Sequence, residues 1–177
     1  MGEIVLFIAA SLDGYIADPH GGVAWLERFN VVGEDHGYAE FLSGVDTVIM
    51  GAKTYEQELS RGAWPYGARP TWVFTHRQLS EPPQRSVRFV SGAVADHVAE
   101  IRKATDRTAY LVGGAQIVQQ LIAVGAVDHL RLFVVPLTLG EGIRLFEAAA
   151  PTTAELLGTR SYRTGLVELG YRLGGPR

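Results

Sequence analysis

The chain has 177 residues, 47% of them apolar, and a formal net charge of −3, which suits one globular domain with a full core and excludes a disordered chain. The slightly acidic balance argues against a general nucleic-acid binder, and the absence of cysteine excludes disulfides, zinc–thiolate sites and thiol nucleophiles. His20, His36, His76, His97 and His129 lack ligand-type spacing, so no metal site is expected.

The apolar opening from Ile4 to Ala10 carries no basic leader and runs into Asp13-Gly14, so it reads as a strand buried on both faces rather than a signal peptide. No apolar run reaches the roughly 18–20 residues of a membrane span, which predicts a soluble, cytoplasmic protein. A loop follows, broken at Asp18-Pro19-His20-Gly21-Gly22 and closed by Trp25 and Leu26, and a helix is expected from about Glu34 to Leu42. Val45 to Met50 is a second buried strand, and Lys53 to Leu59 reads as a helix. Thr71 to Thr75 and Val87 to Val90 are strands, separated by a proline-containing connection over Leu79 to Arg85. A helix from about Ala93 to Lys103 precedes the buried run Ala109 to Val112. Ile117, Val118, Leu121 and Ile122 then recur at helical spacing. Val127 to Val135 is a further strand, Leu139 to Phe146 a glycine-rich loop, and Leu156 to Tyr162 with Leu166 to Leu173 a β-hairpin. Strands alternating with helices and ending in an antiparallel pair predict an α/β fold with a mixed, mostly parallel sheet.

Two strand-to-helix junctions have the composition of phosphate-binding turns. Gly113-Gly114-Ala115 lets the chain turn sharply and leaves the first helical N–H groups uncovered, where the positive end of the helix dipole favours an anion. Gly51-Ala52-Lys53-Thr54 is the second such junction, and it is not a Walker loop, because strand rather than a glycine-rich run precedes the Lys-Thr.

Five segments in order, Ser11-Leu-Asp-Gly-Tyr-Ile-Ala17, Val48-Ile-Met-Gly-Ala-Lys-Thr-Tyr55, Val73-Phe-Thr-His-Arg77, Tyr110-Leu-Val-Gly-Gly-Ala115 and Pro136-Leu-Thr-Leu-Gly-Glu-Gly142, carry a resemblance to the dihydrofolate reductase superfamily. The chain most resembles the branch that contains the reductase domain of riboflavin biosynthesis. The resemblance implies a single three-layer domain that binds NADPH across the carboxyl ends of its strands and reduces a small pterin, pyrimidine or related heterocycle. It implies that Ala10 and Ile16 meet the nicotinamide carboxamide through backbone groups and that Gly113, Gly114, Ala115, Gln116 and Ile117 wrap the pyrophosphate. Gly51, Lys53 and Thr54 would flank the pyrophosphate and adenosine end, and Thr75, His76 and Arg77 the ribose 2′-phosphate. Lys53 and Arg77 stand at strand ends, where NADH offers no charge to answer them; the alternative is two solvated surface cations.

The same resemblance nominates Asp35 as the acid that anchors the heterocycle and relays a proton, which asks for partial burial and a raised pKa. The alternative for Asp35 is a helix N-terminal carboxylate serving the dipole. Trp25 would lie in a loop near substrate or simply pack it; Asp13 would touch substrate or order its turn. Arg69 falls where folate enzymes pair the glutamate tail. Val118 replaces a tyrosine of the folate enzymes, and Phe133 or Val134 a threonine, which argues against dihydrofolate itself. No second basic cluster marks a ribose-phosphate site. A competing reading is an NADP(H)-binding protein without turnover. The alternating C-terminal segments leave an edge through which a homodimer is expected.

Overall fold

The structure, a computed structural model, describes residues 2–79, 86–147 and 153–174. In chain order it contains β1 (Glu3–Ser11), β2 (Tyr15–Ala17), a 3-10 turn (Ala24–Phe29), α1 (Tyr38–Gly44), β3 (Val45–Gly51), α2 (Ala52–Ser60), β4 (Thr71–Phe74) and β5 (Val87–Val90). There follow α3 (Val94–Ala104), β6 (Thr108–Gly113), α4 (Ala115–Ala123), β7 (His129–Val135), β8 (Ile143–Arg144), β9 (Ala154–Ser161) and β10 (Val167–Leu173). Among the described residues, eight strands form one sheet in the order β5-β4-β3-β6-β1-β7-β10-β9. Pairing is parallel from β5 to β7 and antiparallel through β10 and β9. The expected mixed sheet with a C-terminal hairpin is the observed one.

Side-chain alternation divides the core. On β6, Ala109 and Leu111 point to one face, where they pack with Ile4, Leu6, Ile101 and the α4 residues Val118 and Leu121. Tyr110 and Val112 point to the other, beside Val48, Met50, Tyr55 and Tyr66. Ile117, Val118, Leu121 and Ile122 are all buried, as their helical spacing requires.

Three differences from the sequence reading have local causes. The first helix begins at Tyr38 rather than Glu34, because Gly33, His36 and Gly37 adopt φ of 82°, 54° and 75°, outside helical space. The segment read as a glycine-rich loop contains β8, which pairs antiparallel with β2. Gly142 makes that pairing possible, since a β-carbon there would sit 2.2 Å from the Ala17 carbonyl oxygen. Most of the connection over Leu79 to Arg85 lies outside the described residues.

The sheet opens at the carboxyl ends of its central strands. β1 pairs with β6 only from Glu3 to Leu6, then continues to Ser11 against β7 alone. The β3–β6 ladder shifts register between Ile49 and Met50 and stops at Gly113. Open α/β sheets bind ligands at such a divergence, beyond the carboxyl ends of the strands.

Candidate functional site

The two glycine turns named from sequence meet in space. Gly113 and Gly114 have φ of 151° and 89°, and a β-carbon on Gly114 would stand 3.6 Å from both the Gly51 Cα and the Thr54 Oγ1. β6 and β3 are neighbours, so the starts of α4 and α2 open side by side. Neither Gly114 nor Gly51 provides a side-chain cap. The first intrahelical bonds of α4 run from the Ile117 and Val118 N–H groups to the Gly114 carbonyl, at 3.0 and 3.1 Å. The N–H groups of the first turns are the ones a helix leaves for another partner.

These turns border a cavity of about 910 Å³. Ile16, Gly51, Lys53, Thr54, Thr75, His76, Arg77, Gly113, Gly114, Ala115, Gln116 and Ile117 all line it. Ala10 does not: it is buried in the ladder opposite Val134, and Phe7, Ile8 and Ala9 supply the β1 part of the wall. Arg77 stands exposed at the rim, its Nη2 2.7 Å from the Glu56 carboxylate. Its backbone N–H donates to the Thr75 hydroxyl at 3.0 Å, which fixes the turn carrying all three candidate 2′-phosphate residues.

The substrate-side expectations fare differently. Asp35 lines the cavity but is exposed, and its carboxylate accepts the N–H groups of Gly37 and Ala39, both at 3.0 Å. Those bonds stabilise the ionised form and hold its pKa below the ordinary value, so the raised pKa asked of a proton relay is corrected to the helix-capping alternative. Asp13 stands outside the cavity lining. It accepts the Ser11 hydroxyl and the N–H groups of Leu139 and Gly140, at 2.5, 3.1 and 2.7 Å, and these bonds, the hydroxyl's first, lower its pKa to about 2. These bonds tie its own turn after β1 to the loop at Leu139 and Gly140, the turn-ordering alternative. Arg69 is also outside the lining; its guanidinium donates to the carbonyls of Val45, Tyr66 and Leu42 at 2.9, 3.1 and 3.2 Å, closing the end of α1. Trp25 packs against the cluster of Phe133, Val135, Tyr162 and Leu166, while its neighbours Leu26 and Phe29 line the cavity.

Sequence reasoning missed the far end of the cavity, where Tyr38, Glu58, Tyr110 and Phe133 form the wall. Burial pushes the Glu58 carboxyl above the ordinary carboxylate range, against the pull of Arg61 at 2.8 Å, and pushes Tyr110 up as well. The signal was present: Thr54 and Glu58 follow one another at helical spacing on α2, with Arg61 just past its end, and Tyr110 precedes the glycine turn on the strand. His36 was also missed as part of this wall. Its φ of 54° is the one positive value among non-glycine described residues, and its Nε2 lies 2.8 Å from the Thr164 hydroxyl. The Tyr162 hydroxyl, held by the Glu168 carboxylate at 2.7 Å, also contacts the His36 carbonyl. Among the described residues, no helix is long and apolar enough to cross a membrane.

Comparison with known proteins bears on this arrangement. The uncharacterized protein YwjB of Bacillus subtilis is 35% identical over 96% of this chain and 97% of its own length. A crystal structure of a protein from Shewanella sp. PV-4, named for riboflavin biosynthesis, matches with a TM-score of 0.84 and 28% identity over 97% of this chain and 99% of its own. A diaminohydroxyphosphoribosylaminopyrimidine deaminase/5-amino-6-(5-phosphoribosylamino)uracil reductase from Thermotoga maritima matches at a TM-score of 0.69 and 15% identity. That match covers 97% of this chain and 56% of the Thermotoga chain, a likeness of fold. Residues 60–167, which include β4 to β9 and the Gly113-Gly114 turn, match the RibD C-terminal domain model, and the chain belongs to that reductase-like family.

Proposed function

We propose that the protein is an NADPH-dependent reductase that delivers a hydride to a small pterin-, pyrimidine- or related heterocycle. The observation that carries this reading is the contact between the two glycine turns within one cavity that Lys53 and Arg77 also line. The cradle fits a pyrophosphate: a β-carbon on Gly114 would fill it, and two helix N-termini open into it. Ala115 and Gln116 hold the pyrophosphate through their backbone N–H groups, with Ile117, Gly51, Lys53 and Thr54 flanking. Thr75, His76 and Arg77 take the 2′-phosphate, for which Arg77 exchanges its surface contact with Glu56. Ile16 and the backbone around Ala10 orient the carboxamide at the stretch of β1 that β6 leaves unpaired.

NADPH, when bound, supplies the hydride. The protein binds, aligns and excludes water, and it provides the wall against which the heterocycle lies. Titration with NADPH and separately NADH, followed by tryptophan fluorescence, tests the reading. We expect NADPH to bind at least about tenfold more tightly, the value of one charge-assisted contact. Binding of neither nucleotide would sink the proposal.

Nucleotide binding without turnover is the second reading, favoured by the capping role of Asp35, which leaves the nominated proton relay engaged elsewhere. Substrate-dependent loss of NADPH absorbance across a panel of heterocycles separates the two. We also propose a homodimer through β9, an edge strand exposed along its length with Leu156 and Leu157 54% and 49% exposed. Sedimentation should give twice the chain mass, and Leu157→Lys should give the monomer; a wild-type monomer at micromolar concentration contradicts it.

A further inference from the structure

The far end of the cavity has a chemistry unlike its phosphate end, and the geometry of α2 and β6 explains how it arises. From the contact of Gly51 with Gly114, α2 runs back along the sheet, and Glu58, seven residues on, lies about 10 Å from the turn. Tyr110, three residues before Gly113 on β6, lies back by about the same 10 Å. The two side chains therefore reach the cavity at one level. Thr54 and Glu58 share a face of α2, while Tyr55, on another, is 1% exposed in the core. Tyr38 arrives from α1 and packs in one cluster with Tyr66 and Tyr110, its ring centroid 6.3 Å from that of Tyr110. The Glu58 carboxylate acts electrostatically on all three hydroxyls. Its side chain is 15% exposed, and its one ion-pair partner among the described residues, Arg61, is 54% exposed.

Charge distinguishes the two ends. Lys53 and Arg77 stand with the glycine turns. At the other end Arg61 is the one lysine or arginine among the described lining residues, and it is already paired with Glu58. A substrate phosphate placed there would meet the Glu58 carboxylate and compete with it for Arg61. A ring carrying amino or ring N–H groups would instead find an acceptor carboxylate and tyrosine hydroxyls beside an apolar wall that includes Phe7 and Phe133.

We propose that Glu58, flanked by Tyr38 and Tyr110, is the substrate-binding carboxylate of this protein and selects a non-phosphorylated heterocycle bearing hydrogen-bond donors. The proposal rests on the reductase reading for the orientation of the cleft, with the cofactor at the glycine turns and the substrate at the tyrosine end. It assigns to this chain a substrate end that does not need the phosphoribosyl arm in the name of the Thermotoga reductase.

The test uses the full chain saturated with NADPH, whose binding is measured first and separately. Its probes are 5,6-diaminouracil and 5-amino-6-(5-phosphoribosylamino)uracil, titrated calorimetrically. The diaminouracil should bind the wild type, and Glu58→Gln should weaken it at least about tenfold, the usual effect of losing a hydrogen bond to a charged group. Tyr110→Phe, which keeps the ring, should weaken it about threefold or more. NADPH affinity should stay unchanged in both variants. The phosphoribosyl arm should bring no gain.

Acidity supplies a readout that a merely structural role would not move. Glu58 faces Arg61 at the end of its own helix, Tyr38 on α1, Tyr66 in the following loop and Tyr110 on β6. Of these only the carboxyl titrates on the acid side, so diaminouracil binding should weaken as pH falls through the Glu58 pKa and lose that dependence in Glu58→Gln. Equal affinity of wild type and Glu58→Gln, no binding of diaminouracil, or a tenfold gain from the phosphoribosyl arm each overturns the proposal. Loss of NADPH binding in the wild type overturns instead the reductase reading beneath it.

Discussion

The two ends of the cleft are built from different materials. At the glycine end the proposed recognition element is the backbone: helix N-termini, φ values that only glycine adopts readily, and a gap that a side chain would fill. At the tyrosine end the proposed recognition element is a set of side chains from α1, α2, β6 and β7, brought together over almost a hundred residues of chain. A backbone site is written in consecutive residues, whereas a side-chain site is assembled by the topology. The first tolerates almost no substitution at its turns. The second can change specificity one residue at a time while leaving the cofactor site intact.

The largest effect should come from Gly114→Val. At φ 89° a branched residue is strained by on the order of 1–3 kcal/mol, and its side chain would fill the gap beside Gly51 and Thr54. NADPH affinity should fall about a hundredfold or more by fluorescence titration; normal binding by a folded variant would break the contrast between the ends. Arg69→Ala comes next and acts on stability alone. Removing the donor to three backbone carbonyls should cost about 2–3 kcal/mol, seen as a melting-temperature loss of about 5–10 °C. NADPH affinity should be retained, and a normal melting temperature with impaired substrate binding would return Arg69 to the site.

Arg77→Ala should weaken NADPH about tenfold and leave NADH unchanged, closing the gap between the nucleotides. Its surface pair with Glu56 should add within about 0.5 kcal/mol to stability. Asp13 gives a pH signature instead. Its pKa in the folded protein, about 2, lies below the ordinary 3.8, so its contribution to stability is present above about pH 4 and is lost as pH falls toward 2. Acid unfolding of Asp13→Asn should lack that component, and an unchanged acid transition would remove Asp13 as the tie between its loops. The smallest effect is expected for Asp35→Asn, whose amide oxygen can still accept from the helix start. Turnover on any substrate that the wild type reduces should stay within about twofold; a loss of a hundredfold or more would restore Asp35 to the chemistry.

Much of this fold is legible without coordinates because its signals are local. The unbroken apolar run of β1, the 3.6-residue spacing of Ile117, Val118, Leu121 and Ile122, and the hairpin alternation are each satisfied by burying one face. The two glycine turns are legible for the same reason, since a sharp turn before a helix is a property of a few adjacent residues. The start of α1 was misread because acidic residues favour both helix starts and the turns before them, and the left-handed values at Gly33, His36 and Gly37 decide between the two.

Other assignments depended on distance rather than spacing. A buried-looking Asp35 or a tail-binding Arg69 is inferred by counting along the chain, but whether a carboxylate meets a ligand or a nearby N–H depends on where the backbone turns. The sequence by itself determined the strand and helix order, the two phosphate-type turns and the lack of thiol chemistry, because these follow from composition and from neighbours in the chain. Only the tertiary structure decided that the turns touch, that Asp13, Asp35 and Arg69 spend their polar groups on backbone, and that Glu58 lies among Tyr38, Tyr66 and Tyr110. Hydrogen bonds and burial act over a few ångströms in space, and the sheet order, which sets those distances, is not a local property of any segment.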